Sequence, residues 1–213
     1  MAQIIFHDSL LSSAAWRVRA ALQFNGIAHQ VRMHNIMGHG HRTPAYMGLN
    51  PQGTVPVLEV DGLVIPQSLA IIEYLEETLP EQRLLPTDPA ARARVRILSH
   101  IIAMETHAVT NRDVASDASS GGDMTDWMQR YIARGFDAFE GHLDHPETGT
   151  FCHGDTLTMA DCCLIPQARN AEKTGVDLGR WPQIAAIYAR ALEHPAFAET
   201  HPDRLAGVAD KKG

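Results

Sequence analysis

Apolar and polar positions along the chain follow two regimes. Residues 3–6 (QIIF) form a short apolar run that predicts a buried strand. Ala14, Val18, Ala21 and Leu22 then recur at i, i+4, i+7 and i+8, one face of a helix, with Arg17 and Arg19 turned elsewhere. Asn25-Gly26 ends that helix, because both residue types tolerate a left-handed cap. HQVRM (29–33) alternates weakly and predicts a second strand, so strand, helix and strand make a βαβ unit with parallel strands. After a short irregular or helical segment, VPVLEV (55–60) and LVI (63–65) flank Asp61-Gly62, a strong hairpin signal. Leu69, Ile72, Leu75 and Leu79 line one side of the next helix, for which Ser68 is the expected N-cap. The order βαβ–ββα predicts an α/β layer fold over residues 1–81.

Pro80, Pro86 and Pro89 mark a linker over 80–89, and the second regime begins beyond it. The period there is helical, so residues 90–213 are expected to form an all-α domain. Val95, Leu98, Ile102 and Glu105 set one face of a helix over 89–110, and residues 124–144 form another long helical run. SSGGD (119–123) breaks the two, and HPETGT (145–150) ends the second. Thr158 and Asp161 match a capping box ahead of CCLI, with Leu157 as the apolar half of a staple. That helix belongs in the core, and removing either side chain of the box is expected to cost about 1 kcal/mol or more. The polar tail GVADKKG is expected to fray.

Composition narrows the function classes. The 213 residues, 45% hydrophobic and 20% charged, suit a globular chain with a sizeable core. A formal net charge of −7 argues against nucleic acid or an acidic membrane surface as partner. MAQIIFHDS lacks a basic n-region and a long apolar h-region, and no apolar run approaches ~18 residues, so a soluble, cytoplasmic protein is expected. Cys152, Cys162 and Cys163 form no CxxC pair and suit a reducing compartment, the adjacent two as buried structural thiols. His39-Gly40-His41 is the densest cluster of histidines; without an HExxH or CxxC partner, no metal is expected there.

The residues that carry chemistry open the first helix. Ser12 and Ser13 sit where its orphan amides and partial positive charge lie. A hydroxyl at that place suits capping, and it equally suits donation to a thiolate, whose pKa falls from about 8.5 near a helix N-terminus or a donor.

Four stretches select between these uses: SSAAWRVRAAL (12–22), LNPQGTVPVLEVDG (49–62), PQSLAIIEYLEE (66–77) and GDTLTMADCCLIPQARNAEKTGVDL (154–178). With the two-domain layout they resemble cytosolic glutathione transferases, specifically the zeta class, which includes maleylacetoacetate and maleylpyruvate isomerases. The resemblance implies a thioredoxin-like N-terminal domain, an all-α C-terminal domain and glutathione as cofactor. It also implies a homodimer in which each small domain packs on the partner's helical domain. Ser12 takes the place of the family's catalytic serine, with Ser13 its neighbour. Val55-Pro56 matches the cis-proline loop, where the Val55 backbone pairs with the cysteinyl part of the tripeptide. Gln67 and Ser68, at a helix N-terminus, match the binders of the γ-glutamyl carboxylate. His41 stands where zeta enzymes commonly carry a glutamine near the glycine carboxylate.

On the acceptor side, His107 and Asn111-Arg112 in THAVTNRDV are similar to the HPxNNxR-like segment of bacterial isomerases, and Arg169 and Lys173 are further cations. The implied activity is cis–trans isomerisation of a maleyl diacid, a small-molecule electrophile to which the thiolate adds and from which it leaves after bond rotation. Three departures bear on that. Leu11 stands in place of an arginine, Ala14 in place of a cysteine, and Asp113 where an apolar or basic residue is usual. Losing an arginine removes a bidentate carboxylate partner. The alternatives are therefore conjugation or reductive dehalogenation of a less acidic, more apolar electrophile, and a non-catalytic ligand-binding protein.

Overall fold

The computed structural model describes residues 3–79, 84–120 and 122–209. They fall into two compact units, one running to Leu84 and resuming at His194, the other Leu85–Glu193. The expected linker lies partly on residues 80–83, outside the described ones.

In the first unit, β1 (Ile4–Asp8), α1 (Ser13–Phe24) and β2 (Gln30–Met33) form the βαβ unit, with β2 parallel to β1. A 3-10 turn (Gly40–Arg42) and α2 (Pro44–Leu49) lead to β3 (Val57–Val60), β4 (Leu63–Pro66) and α3 (Ser68–Thr78). The sheet order is β2-β1-β3-β4, with β3 antiparallel to both neighbours. Asp61 and Gly62 both have positive φ, 47° and 89°, the backbone a two-residue turn of matching twist requires. Side chains alternate across the sheet. Phe6 and Leu58 face Ala15, Val18 and Leu22 of α1 and Ile71 and Leu75 of α3 in one apolar cluster. Val57 faces the other way, into a smaller cluster with Tyr46 and Val55.

Arg17 and Arg19 do not point to solvent; both are buried. Helix α1 is enclosed on nearly all sides, because α10 (Pro195–Ala198) packs on it. Arg19 makes two 2.7 Å bonds to the Asp8 carboxylate and donates to the Thr200 carbonyl, while Trp16 Nε1 donates to Thr200 Oγ1. The residues from His194 onward thus pack with the sheet-containing unit, where the sequence pattern assigns all of 90–213 to the helical one. The tail expected to fray is helical through Ala209, the end of α11 (Pro202–Ala209); residues 210–213 lie outside the described ones.

The second unit is helical. Its order is α4 (Pro89–His100), a π-helical turn (Ile101–Thr106), α5 (His107–Thr110), α6 (Arg112–Ala118), α7 (Thr125–Leu143), α8 (Met159–Lys173), a 3-10 turn (Leu178–Arg180) and α9 (Pro182–Glu193). The π turn changes the register of the first helical face. Val95, Leu98 and Ile102 are buried as the spacing predicts, but Thr106 takes the next inward place and Glu105 is exposed. In this wider turn Thr106 Oγ1 donates to the Ile101 carbonyl, five positions back. Gly135 of α7 faces this turn, and a Cβ there would run into Thr106. Helix α8 carries the expected capping box: Asp161, fully buried, accepts from Thr158 N, Thr158 Oγ1 and Cys152 N. Cys162 and Cys163 are buried free thiols on this helix.

Candidate active site

Sheet topology gathers one set of candidate residues. The carboxyl end of β1, the start of β3 and the end of β4 share one edge, since His7 pairs with Val57 and Val57 with Pro66. The segments leaving that edge carry Ser12–Ser13, Val55–Pro56 and Gln67–Ser68.

Ser12 is the N-cap of α1, with extended backbone (φ −93°, ψ 114°), and its Oγ accepts from Ala15 N at 3.1 Å. A hydroxyl that accepts one hydrogen bond keeps its own proton free to rotate toward another acceptor. Capping and donation to a thiolate are therefore compatible in one side chain. Ser13 is the first residue of the helix and is buried. Leu11, in the turn before the cap, is 59% exposed.

The Val55–Pro56 peptide is cis. The β1–β3 ladder begins at Val57, so the Val55 backbone lies beyond it. Asn50 shapes this loop, its Nδ2 donating to the Thr54 carbonyl at 2.8 Å and its Oδ1 accepting from Gln52 N. Tyr46 OH donates to the same carbonyl at 2.8 Å. Burial pushes the Tyr46 phenol up to about 12, with the Asn50 hydrogen bond pulling the other way, so it stays a donor near neutral pH. Gly53 has φ +59°, a backbone that favours glycine, and a Cβ there would touch Met47 Sδ and lie 3.4 Å from the His41 carbonyl. The 3-10 turn bearing half-buried His41 is thereby held close to the cis-proline loop.

At α3 the structure corrects one expectation. Ser68 is the first helical residue, and the N-cap is Gln67, with φ 74° and no side-chain capping bond. That backbone is unfavourable for a residue with a Cβ, and such strain persists where surrounding bonds hold it. Two are present: Gln67 Nε2 donates to Gln52 Oε1 at 2.6 Å, and buried Arg17 donates through Nη1 to Ser68 Oγ at 3.2 Å. Gln52, Asn50 and Arg17 are contributors that the sequence pattern did not single out, although LNPQG and WRVR contain them.

The second unit carries the remaining candidates in two places. His107 opens α5, and Asn111 ends it. His107 and Asn111, one turn apart in sequence, do not share one helical face. Asn111 leaves the helix at ψ 139° and caps α6, its Oδ1 accepting from Asp113 N at 3.1 Å. Arg112 is the first, exposed residue of α6. Arg169, buried, and Lys173, exposed, lie one turn apart on α8, which packs against α4 and the π turn. A separate cleft of about 240 Å³ opens between the π turn and α7, lined by Ile101, Glu105, Val109, Tyr131 and Arg134 among others, and by none of these candidates.

The model of the glutathione S-transferase N-terminal domain matches residues 11–78, and that of the C-terminal domain matches 87–190. The chain belongs to the glutathione S-transferase family. It is 46% identical over 207 residues to the maleylacetoacetate isomerase of Rhizobium meliloti (strain 1021), covering 95% of this chain and 97% of that one. Among solved structures it is similar to a bacterial zeta-class maleylpyruvate isomerase in its holo form, with a TM-score of 0.90, 35% identity, and 94% and 97% of the two chains covered. A maleylacetoacetate isomerase from Methylobacterium extorquens AM1, solved with malonate and glutathione, gives a TM-score of 0.89 at 34% identity over 94% and 97% of the two chains. The zeta-class resemblance and the thioredoxin-like plus all-α fold class are thus borne out. No described helix is long and apolar enough to cross a membrane.

Proposed function

We propose that this glutathione transferase is a cis–trans isomerase of a maleyl-type diacid, maleylacetoacetate or maleylpyruvate, with Ser12 as the residue that polarises the cofactor's thiol. The observation that carries this is the convergence of Ser12, Val55–Pro56 and Gln67–Ser68 on one sheet edge, in a chain 46% identical to a maleylacetoacetate isomerase.

The residues present fit glutathione. The Val55 backbone, beyond the ladder, offers a strand-like edge to the cysteinyl unit. Gln67 and Ser68 sit where the α3 amides begin, which suits the γ-glutamyl carboxylate. His41 suits the glycine carboxylate. When bound, glutathione supplies a thiolate that adds across the cis double bond, permits rotation about the resulting single bond and leaves again unconsumed. Ser12 donates its hydroxyl proton to the sulfur while its oxygen still caps α1, and the positive end of that helix favours the anion. His107, Asn111, Arg112, Arg169 and Lys173 are the polar and cationic groups of the helical unit assigned to the diacid, and Ser13 supports Ser12. The same reading includes a cytoplasmic homodimer, whose dimeric state sedimentation would establish.

The test is incubation of maleylacetoacetate or maleylpyruvate with enzyme and glutathione. Loss of the maleyl absorbance with no net consumption of thiol is expected, and no loss above background refutes the activity. Stoichiometric disappearance of glutathione with an apolar electrophile would support conjugation instead, the reading that exposed, apolar Leu11 favours.

A further inference from the structure

Helices α1 and α3 pack against each other over one face of the sheet, and a side chain of α1 reaches the residue with which α3 begins. Arg17, 2% exposed, donates through Nη1 to Ser68 Oγ at 3.2 Å, and Ser68 is itself only 6% exposed. The backbone ahead of Ser68 is fixed as well. Gln67, at φ 74°, accepts from Ile71 N at its carbonyl, 3.0 Å away, and gives its side-chain amide to Gln52. Ser68 thus enters the helix in one orientation, with a buried guanidinium against its hydroxyl.

Chemistry fixes the direction of the Arg17–Ser68 bond. A guanidinium carries donors only, so Ser68 Oγ is the acceptor, and a hydroxyl that accepts still has one proton to give. Among the described residues no acceptor takes that proton. A carboxylate at the first amides of α3 would take it, in a charge-assisted bond. Without the guanidinium, the same hydroxyl is free to turn its lone pairs toward that place, where they repel an anion. Arg17 also adds a positive charge where the α3 dipole is already positive, and both favour an anion there.

We propose that Arg17 is a positioning residue for glutathione recognition: by occupying the acceptor side of Ser68 Oγ, it commits that hydroxyl to donate to the free carboxylate of the γ-glutamyl unit. Arg17 thereby sets how strongly the protein prefers glutathione to γ-aminobutyryl-cysteinylglycine, the same tripeptide without that carboxylate. This rests on the assignment of Ser68 to the γ-glutamyl carboxylate.

Calorimetric Kd values for glutathione and for γ-aminobutyryl-cysteinylglycine test it without any acceptor substrate. The variants are Ser68→Ala, Arg17→Met, their double, Arg17→Lys and Arg17→Gln. Methionine keeps an apolar stem of similar length and removes every donor. Arg17→Met is expected to weaken glutathione about 10-fold while leaving the decarboxylated tripeptide within about twofold, the size of one lost charge-assisted bond. Arg17→Lys, which keeps a cationic donor, should restore glutathione to within about threefold of the wild type. Arg17→Gln, neutral and too short to span the same gap, serves if the methionine variant does not fold and should weaken glutathione about three- to fivefold. In the Ser68→Ala background Arg17→Met should have no further effect, as expected of two residues acting through one contact. Equal weakening of both tripeptides by the Arg17 variants, or a further loss in the Ser68→Ala background, would overturn the positioning role alone. Unchanged discrimination in Ser68→Ala would overturn the Ser68 assignment and the proposal together.

Discussion

Substitutions at Ser12 separate its two roles. Ser12→Ala removes the oxygen that accepts from Ala15 N and, with it, the hydroxyl proposed to donate to the thiol. The capping loss should cost about 1 kcal/mol of stability. A charge-assisted hydrogen bond to the thiolate is worth about 1.5–3 kcal/mol, or roughly one to two pKa units on the sulfur. Turnover should therefore fall on the order of 10²-fold, as for the loss of a single anion-stabilising donor. Ser12→Asp provides the control, because aspartate caps a helix about as well as serine but donates nothing when ionised. Its unfolding midpoint in urea should match the wild type within a few tenths of a kcal/mol, while bound glutathione titrates at higher pH. The measurements are urea unfolding and the pH dependence of thiolate absorbance in the binary complex. Unchanged turnover and thiol titration in Ser12→Ala, with both lost in Ser13→Ala, would show that Ser12 only caps the helix.

Two further perturbations test packing and titration. Gly135→Ala would ordinarily stabilise a helix by about 1 kcal/mol, yet here the new methyl meets Thr106, so a net loss of about 1–3 kcal/mol is expected in urea unfolding, partly recovered by adding Thr106→Ala. A neutral or stabilising Gly135→Ala would mean that the π turn yields freely. Tyr46→Phe forfeits the bond to Thr54 and should cost about 1 kcal/mol near pH 7. Because the native phenol is raised from 10.0 to about 12, its contribution is intact below pH 10 and is lost as pH rises toward 12. The stability difference between wild type and Tyr46→Phe should narrow across that window, and a constant difference would refute the assignment.

What the sequence made legible follows a physical division. Alternation and turn chemistry are local, so the β1–α1–β2 unit, the Asp61-Gly62 hairpin and the Thr158–Asp161 box read correctly from neighbouring residues. The burial of Arg17 and Arg19 was not legible, because a helix with one apolar stripe implies one buried face. The cover over Arg19 comes from residues beyond His194, whose Thr200 accepts from it across a sequence separation of 181, and Arg17 is covered at α3, where it donates to Ser68. The π turn escaped notice for a different reason: it alters the period by a single residue, too little to distinguish Glu105 from Thr106 as the inward position. The cap of α3 went to Ser68 on residue type, whereas a left-handed Gln67 is held by Gln52 and by the Arg17–Ser68 bond, neither of which periodicity reports.

The same division separates the two halves of the candidate site. Ser12, Val55 and Gln67 each lie on a chain segment that leaves a strand at the same edge, so pairing brings them together whatever their side chains do. A motif at a strand end therefore transfers well from sequence to space. His107 and Asn111 instead would share a face only on an unbroken helix, and Asn111 supplies the break itself by capping α6. Asparagine is among the preferred N-cap residues, so TNRD is as much a helix-start signal as a continuation of THAV. An acceptor preference inferred from that segment should accordingly be tested residue by residue, beginning with Arg112, which the break at Asn111 leaves exposed at the start of a new helix.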